Sequence, residues 1–459
     1  MIFRRFTYTP LALLPAAVAL AFATGCAGPL ATEREAFDRW HQLDANRHRT
    51  ATAIPSRPAD DANGSADLPA APTLDDYLQF AAAHHPGLAA AFHEWKAALE
   101  RVPQARALMD PRLSYSYFVR ESMTQQTAGL SQTLPWYDKL QARGDAAMAQ
   151  AHAAERRFDA QFQQVRLAVK QAYAEYTYLA RALAVLRENH RILEDLEAGA
   201  QARFEAGAVP YADVVRAGVA VEQAQDEVRS LEARRSPVMG RLNAALGRSA
   251  DHTLPWPEPL PAPALSVDES QLLAQLAQQN PDLDALRYET ASRRHAHRLA
   301  RQNRIPDLTL GIEYMDMAPD DMRDQLAVMA SINLPIWGGR LDAERAEALA
   351  AFGAATQRQA ERRNELEAEL RQVWYRYRDA DRRAALFEQT LLPMSREALD
   401  ATEAAYSSGE TEFQALTQAQ TALQTLQLTY ERTVTDRFQA LAELERLVGR
   451  SLSDERPAQ

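Results

Sequence analysis

The amino-acid sequence predicts a mainly α chain with a small β part, organised as a tandem repeat of long coiled-coil helical hairpins plus two β-hairpins. Three observations predict it. Short anchor segments recur in the same order about two hundred residues apart. Between them run very long stretches with heptad spacing, the first of them, 137–209, without a proline. Two pairs of short alternating runs each end in Leu-Pro followed by a Trp, at LSQTLPWYDK (130–139) and ASINLPIWGGR (330–340).

The repeat comes first, because a missed repeat distorts any estimate of domain number. His84-His85-Pro86-Gly87-Leu88 corresponds to Gln279-Asn280-Pro281-Asp282-Leu283, an offset of 281 − 86 = 195. Asp110-Pro111-Arg112-Leu113 corresponds to Ile305-Pro306-Asp307-Leu308 at the same offset, 306 − 111 = 195. Pro135 and Pro335 give 335 − 135 = 200, so the loop between the strands is longer by 200 − 195 = 5 in the second copy. Phe204-Glu205-Ala206-Gly207 matches Tyr406-Ser407-Ser408-Gly409, and Leu246-Gly247-Arg248-Ser249 matches Val448-Gly449-Arg450-Ser451, both offset by 202. The segments that follow are a leader over 1–25, an N-terminal segment and linker over 26–72, the first repeat over 73–250, a proline-rich connector over 251–265, the second repeat over 266–452 and a tail over 453–459. Proline at alternate positions near the connector's middle forbids helix and makes it stiff and extended. Residues 32–49 suit one short helix.

Residues 1–25 read as the leader. Arg4 and Arg5 precede an apolar run, Leu11 to Ala23, too short to span a bilayer. Ala23-Thr24-Gly25-Cys26 resembles a bacterial lipobox, with Cys26 as the lipidated first residue of the mature chain. Cys26 is the sole cysteine, so no internal disulfide can form. The next residue is Ala27 and not Asp, which in the lipoprotein pattern favours the outer membrane.

Each copy opens with a helix of about thirty residues (74–108 and 271–304). A long helix follows the strands. In the first copy no proline interrupts 137–209, enough for one helix of roughly 105 Å. Its seam is Phe158, Phe162, Val165, Val169, Ala172, Tyr176, Leu179, Leu183, Leu186, His190 and Leu193. The second copy gives Leu366, Leu370, Val373, Tyr377, Ala380, Ala384, Phe387, Leu391, Met394, Ala398 and Ala401. Gly207 and Gly409 mark tight turns into returning helices of about forty residues, which makes antiparallel hairpins.

The strands carry the functional argument. Leu113, Tyr115, Tyr117 and Val119 alternate with Arg112, Ser114, Ser116 and Phe118. Leu308, Leu310, Ile312 and Tyr314 alternate with Thr309, Gly311 and Glu313. The returning runs repeat the alternation at Leu130, Gln132 and Leu134, and at Leu326, Val328, Ala330, Ile332 and Leu334. Locally this suits a half-buried soluble sheet or a tilted transmembrane β-strand equally. Four strands cannot enclose a lumen, and open edges are not tolerated in hydrocarbon, so a membrane sheet requires several chains to pool strands.

Composition narrows the classes. A net charge of −11 has the wrong sign for neutralising nucleic-acid phosphates, and 25% charged residues argue against a multi-span helical membrane protein. No Walker loop, nucleophile elbow or HExxH motif occurs, so neither catalysis nor a cofactor is expected. His295 and His297, two apart on a helix, do not share a face. Met315, Met317 and Met322 are thioethers of the kind that suit Cu(I), beside Asp316, Asp320, Asp321 and Asp324, but plain loop residues read the same way.

The two Leu-Pro strand ends, Phe204-x-x-Gly207, Tyr406-x-x-Gly409, Leu391-Leu392-Pro393 and the two Gly-Arg-Ser endings together resemble the outer membrane efflux protein (TolC) family in its lipid-anchored branch, over residues 74–452. The resemblance implies a homotrimer whose chains close a 12-stranded β-barrel on an α-helical tunnel. It implies the exit duct of a tripartite pump, working with a periplasmic adaptor (membrane fusion protein) and an inner-membrane pump, exporting drugs or heavy-metal ions. A type I protein secretion system uses the same kind of duct and stays open. A periplasmic adaptor without a pore lacks the repeated β-hairpins, and a single-chain porin fails on strand number. Trp136 and Trp337 then suit the membrane interface. The family's periplasmic gate falls on Asp213 and Tyr406, with Glu403 nearby, and a hydrogen bond between the Tyr406 hydroxyl and the Asp213 carboxylate is expected. Thr411, Ala415 and Gln418 depart from the gate residues of some members, while Glu410 and Glu412 supply acids at the pore entrance; a solvated turn with ordinary acids reads the same.

Overall fold

A computed structural model describes residues 68–119, 124–260, 265, 267–317 and 323–452. The leader with Cys26, the segment 32–49, most of the linker, Met322, Asp320, Asp321 and the tail lie outside the described residues.

Both repeats run through the same elements. The first has α1 (Leu74–His84), α2 (Pro86–Arg106), β1 (Arg112–Tyr117), β2 (Thr124–Leu134), α3 (Tyr137–Glu205), α4 (Tyr211–Ala233) and α5 (Arg235–Leu246). The second has α6 (Glu269–Gln279), α7 (Pro281–Gln302), β3 (Leu308–Met317), β4 (Gln325–Ile332), α8 (Gly338–Leu386), a π-helical turn (Phe387–Leu391), α9 (Leu392–Ser408) and α10 (Phe413–Val448).

The opening helix of each repeat is two helices where the sequence pattern suggests one. His85 (ψ 118°) and Asn280 (ψ 121°) are extended because each precedes a proline, whose ring excludes the helical conformation from its neighbour. Each break is capped: His85 Nδ1 accepts from the Gly87 N–H at 3.1 Å, and Asn280 Oδ1 from the Leu283 N–H at 3.0 Å. The returning helix of the first repeat also breaks, at Arg234. Pro237 cannot donate to the Ala233 carbonyl, and its ring would collide with it. Its counterpart α10 has no such proline and runs unbroken for 36 residues.

The expected seam of the second long helix holds through Phe387 and then fails. Met394 is 62% exposed and Ala398 and Ala401 are exposed, while Leu392 and Tyr406 are buried and Leu399 is partly buried. The π turn explains the change: its wider loop adds one residue, so every later buried position moves one place on. Pro393, which has no N–H for the Gln389 carbonyl, sits at its end.

Each repeat builds its own core from equivalent parts. Tyr77, Ala81, Leu88, Val165, Val169, Tyr176, Leu242 and Leu246 form the first. Leu272, Leu276, Leu283, Leu366, Leu370, Tyr377, Leu444 and Val448 form the second. The connector is strapped onto the first repeat: Leu254 is buried, its carbonyl accepts from Tyr176 Oη at 3.1 Å, and Trp256 stacks on Tyr176. Burial of Tyr77, Tyr173 and Tyr176 there raises all three phenols, Tyr173 to about 12. Between the repeats, by contrast, the α3–α10 seam is polar. Lys170 pairs with Glu445 in a buried contact, Glu175 accepts from Arg432 at 2.9 Å and Gln439 at 2.8 Å, and Gln420 donates to Asn189 at 2.8 Å.

The four strands form one antiparallel sheet in the order β1-β2-β3-β4, so the β2–β3 pairing joins the repeats. Register aligns the apolar positions into rows, Leu113–Leu130–Ile312–Val328 and Tyr115–Ala128–Tyr314–Leu326. The other face carries Arg112–Ser131–Gly311–Met329 and Ser114–Gly129–Glu313–Ala327. The apolar rows are exposed in the single chain, Leu113 and Val328 at 78% each. Among the described residues no helix is long and apolar enough to cross a membrane.

Candidate functional site

The two hairpin turns use the same device. Gly207 (φ 72°) and Gly409 (φ 80°) adopt the left-handed conformation that ends a helix. The Gly207 and Ala208 N–H groups donate to Phe204 and Arg203 carbonyls at 2.8 Å each. Gly409 and Glu410 donate to Tyr406 at 3.1 Å and Ala405 at 2.8 Å. A side chain at either glycine would meet open space, so backbone conformation alone selects glycine there.

The two hairpins converge at these tips. Ala200 of α3, Ala217 of α4, Tyr406 of α9, and Phe413 and Leu416 of α10 form one buried cluster. Tyr406 and Asp213 are each 7% exposed. The hydrogen bond expected between them is not formed within the chain. Asp213 Oδ1 instead accepts from Arg216 Nη1 one turn on, at 3.0 Å, and Tyr406 Oη is buried with no hydrogen-bond partner in the chain. Burial raises the Tyr406 phenol; Arg203 opposes the rise and the Asp213 charge adds to it. The contact that the sequence reading missed is Arg203. Its Nη1 donates to the Tyr406 carbonyl at 2.7 Å, and its guanidinium lies 4.5 Å from the Tyr406 ring centroid. Glu403, Glu410 and Glu412 are exposed around the tip, with Gln418 exposed and Thr411 and Ala415 partly so.

At the opposite end, strand becomes helix. Trp136 is exposed, with its Nε1 donating to the Pro306 carbonyl at 2.5 Å; Trp337 is exposed as well. Beneath Trp136, Lys139 is only 2% exposed and donates to the Ile305 carbonyl at 2.6 Å and Asp307 Oδ1 at 2.7 Å, clamping the repeats together. A lysine in the first turn of a helix opposes the helix dipole, and that was its one local signal.

His295 lies 3.7 Å from Asp145, and His84 Nδ1 lies 3.0 Å from the Phe80 carbonyl. Met317 Sδ accepts from Thr124 Oγ1 at 3.6 Å, and Met315 lies on β3 opposite Gln325. Among the described residues no group of three or more His, Cys, Asp or Glu is placed to hold a metal ion.

The sequence profile of the outer membrane efflux protein family matches residues 77–248 and 272–450. No curated protein sequence matches the chain. Among solved structures, the outer membrane protein VceC of Vibrio cholerae is similar at a TM-score of 0.69 and 19% identity, covering 83% of this chain and 96% of that one. CusC, described in terms of transmembrane channel formation, is similar at 0.72 and 16%, covering 83% and 92%. The MtrE outer membrane channel of Neisseria gonorrhoeae, solved in its open state, is similar at 0.67 and 17%, covering 83% and 90%.

Proposed function

The chain belongs to the outer membrane efflux protein family, and from that premise we propose that three copies close one duct across the outer membrane and the adjoining periplasm. Membership makes the protein an efflux channel, a passive conduit and not an enzyme. The observation that carries the trimer is the sheet. Its apolar rows are exposed, and β1 and β4 each leave an outer edge open. An open edge in hydrocarbon strands a row of backbone donors and acceptors, each costing several kcal/mol. Three copies of four strands give a closed barrel of 3 × 4 = 12, with the apolar rows towards lipid and the polar face towards the lumen.

In this reading the helical hairpins line a periplasmic tunnel in a Gram-negative envelope, with Trp136 and Trp337 at the membrane boundary. The tips form its gate, where Asp213, Tyr406 and Glu403 lie, and Glu410 and Glu412 repeated around a threefold axis favour cations at the entrance. A periplasmic adaptor and an inner-membrane pump supply drive and substrate, small molecules such as drugs or metal ions. Cys26 carries lipid; mass spectrometry of the mature N-terminus should find it acylated, and a free N-terminus elsewhere would remove the anchor from the account.

Planar-bilayer recording tests the conduit. Purified protein should give discrete conductance steps, and Glu410→Gln with Glu412→Gln should reduce cation preference at low salt. Folded, inserted protein without conductance would defeat the reading.

A further inference from the structure

We propose that Arg203 is the latch of the tip: it ties the second hairpin to the first through Tyr406, and its release lets the duct open. This rests on the duct reading above and adds to it the residue that holds the closed arrangement.

The geometry is specific. Arg203 lies in the last turn of α3 and Tyr406 in the last turn of α9, on hairpins of different repeats. The Tyr406 carbonyl already accepts from the Gly409 N–H at 3.1 Å, and its second lone pair takes Arg203 Nη1 at 2.7 Å. That carbonyl belongs to a helix C-terminus, where backbone dipoles favour a cation. The same guanidinium lies over the phenol ring, which also meets Phe413 in an edge contact at 5.8 Å between centroids. One side chain therefore holds both backbone and ring, and the planar guanidinium is pre-organised for the two contacts where a flexible ammonium is not.

The tie is also isolated. Moving up the α3–α10 seam, the next hydrogen bond between α3 and the second hairpin among the described residues is Gln420 to Asn189. Asn189 is 203 − 189 = 14 residues away on α3, or roughly 21 Å along the helix. Between them lies only the small apolar cluster around Ala200 and Phe413. Asp213 makes no hydrogen bond to Tyr406 within the chain; its Oδ1 accepts from Arg216 on its own helix. With the latch gone, little else holds the end of α9 against α3, and the equilibrium shifts towards separated hairpins.

The full-length protein in planar bilayers tests this, with conductance normalised to inserted assemblies. Arg203→Met, of similar length without charge, should raise the open fraction about tenfold, the ratio that one charge-assisted hydrogen bond sustains. Arg203→Lys should fall between Met and wild type. Tyr406→Leu removes the ring but not the carbonyl, and combined with Arg203→Met should add less than its effect alone. Arg191→Ala, which breaks only exposed pairs on α3, should match wild type. Arg203→Met conducting like wild type, or losing assembly yield with unchanged conductance per assembly, would overturn the latch, and where that variant does not assemble the Lys and Leu variants decide by the same comparison. If wild type itself never conducts, the duct reading falls and the latch goes with it.

Discussion

Gly449 lies directly over the Gln279 carbonyl: a Cβ at Gly449 would stand 2.7 Å from that oxygen and 3.2 Å from Pro281 Cδ. The first repeat makes the same approach, where a Cβ at Gly247 would meet Pro86 Cδ at 2.6 Å and His85 Cα at 2.8 Å. The Gly-Arg-Ser endings and the X-Pro breaks are thus two sides of one contact. In the second repeat Asn280 Nδ2 completes it by donating to the Leu447 carbonyl at 2.8 Å.

Gly449→Ala should therefore cost more than Gly409→Ala. Both glycines have positive φ (84° and 80°), and a left-handed residue with a Cβ costs about 1–2 kcal/mol. Only Gly449 adds a backbone collision. Thermal unfolding midpoints in detergent should fall further for Gly449→Ala, and equal falls would refute the close-packing account.

The strand register gives a test of sidedness. Val328→Arg lies in an apolar row, and Ser331→Arg lies on the opposite face, both on β4. A charge towards lipid costs about 2–4 kcal/mol near the midplane and little towards an aqueous lumen. Val328→Arg should deplete the protein from the outer-membrane fraction while Ser331→Arg should not. The reverse pattern would turn the sheet inside out.

The repeat, the hairpin turns and the alternating strands were legible because each is written in local spacing. The breaks at His85 and Asn280 were obscured by apolar periodicity that continues across the proline, even though proline excludes helix from the residue before it. The seam beyond Phe387 was misplaced by one residue because a π turn changes the period without changing composition. At the tip, the sequence brought Asp213 and Tyr406 into one buried neighbourhood but not into a hydrogen bond. Arg203 could not be found that way, since its partner lies 406 − 203 = 203 residues on and neither residue carries an unusual local pattern. Lys139 left a clue in the helix dipole; its acceptors at Ile305 and Asp307 did not.

The central claim is that one duct takes three chains, because four strands with two open edges cannot close alone. Light scattering of the detergent-solubilised protein, corrected for bound detergent, measures this directly. The account requires a protein mass three times that of the mature chain, whose full-length precursor is 51.2 kDa. A monodisperse single chain with its full complement of β-structure would contradict it.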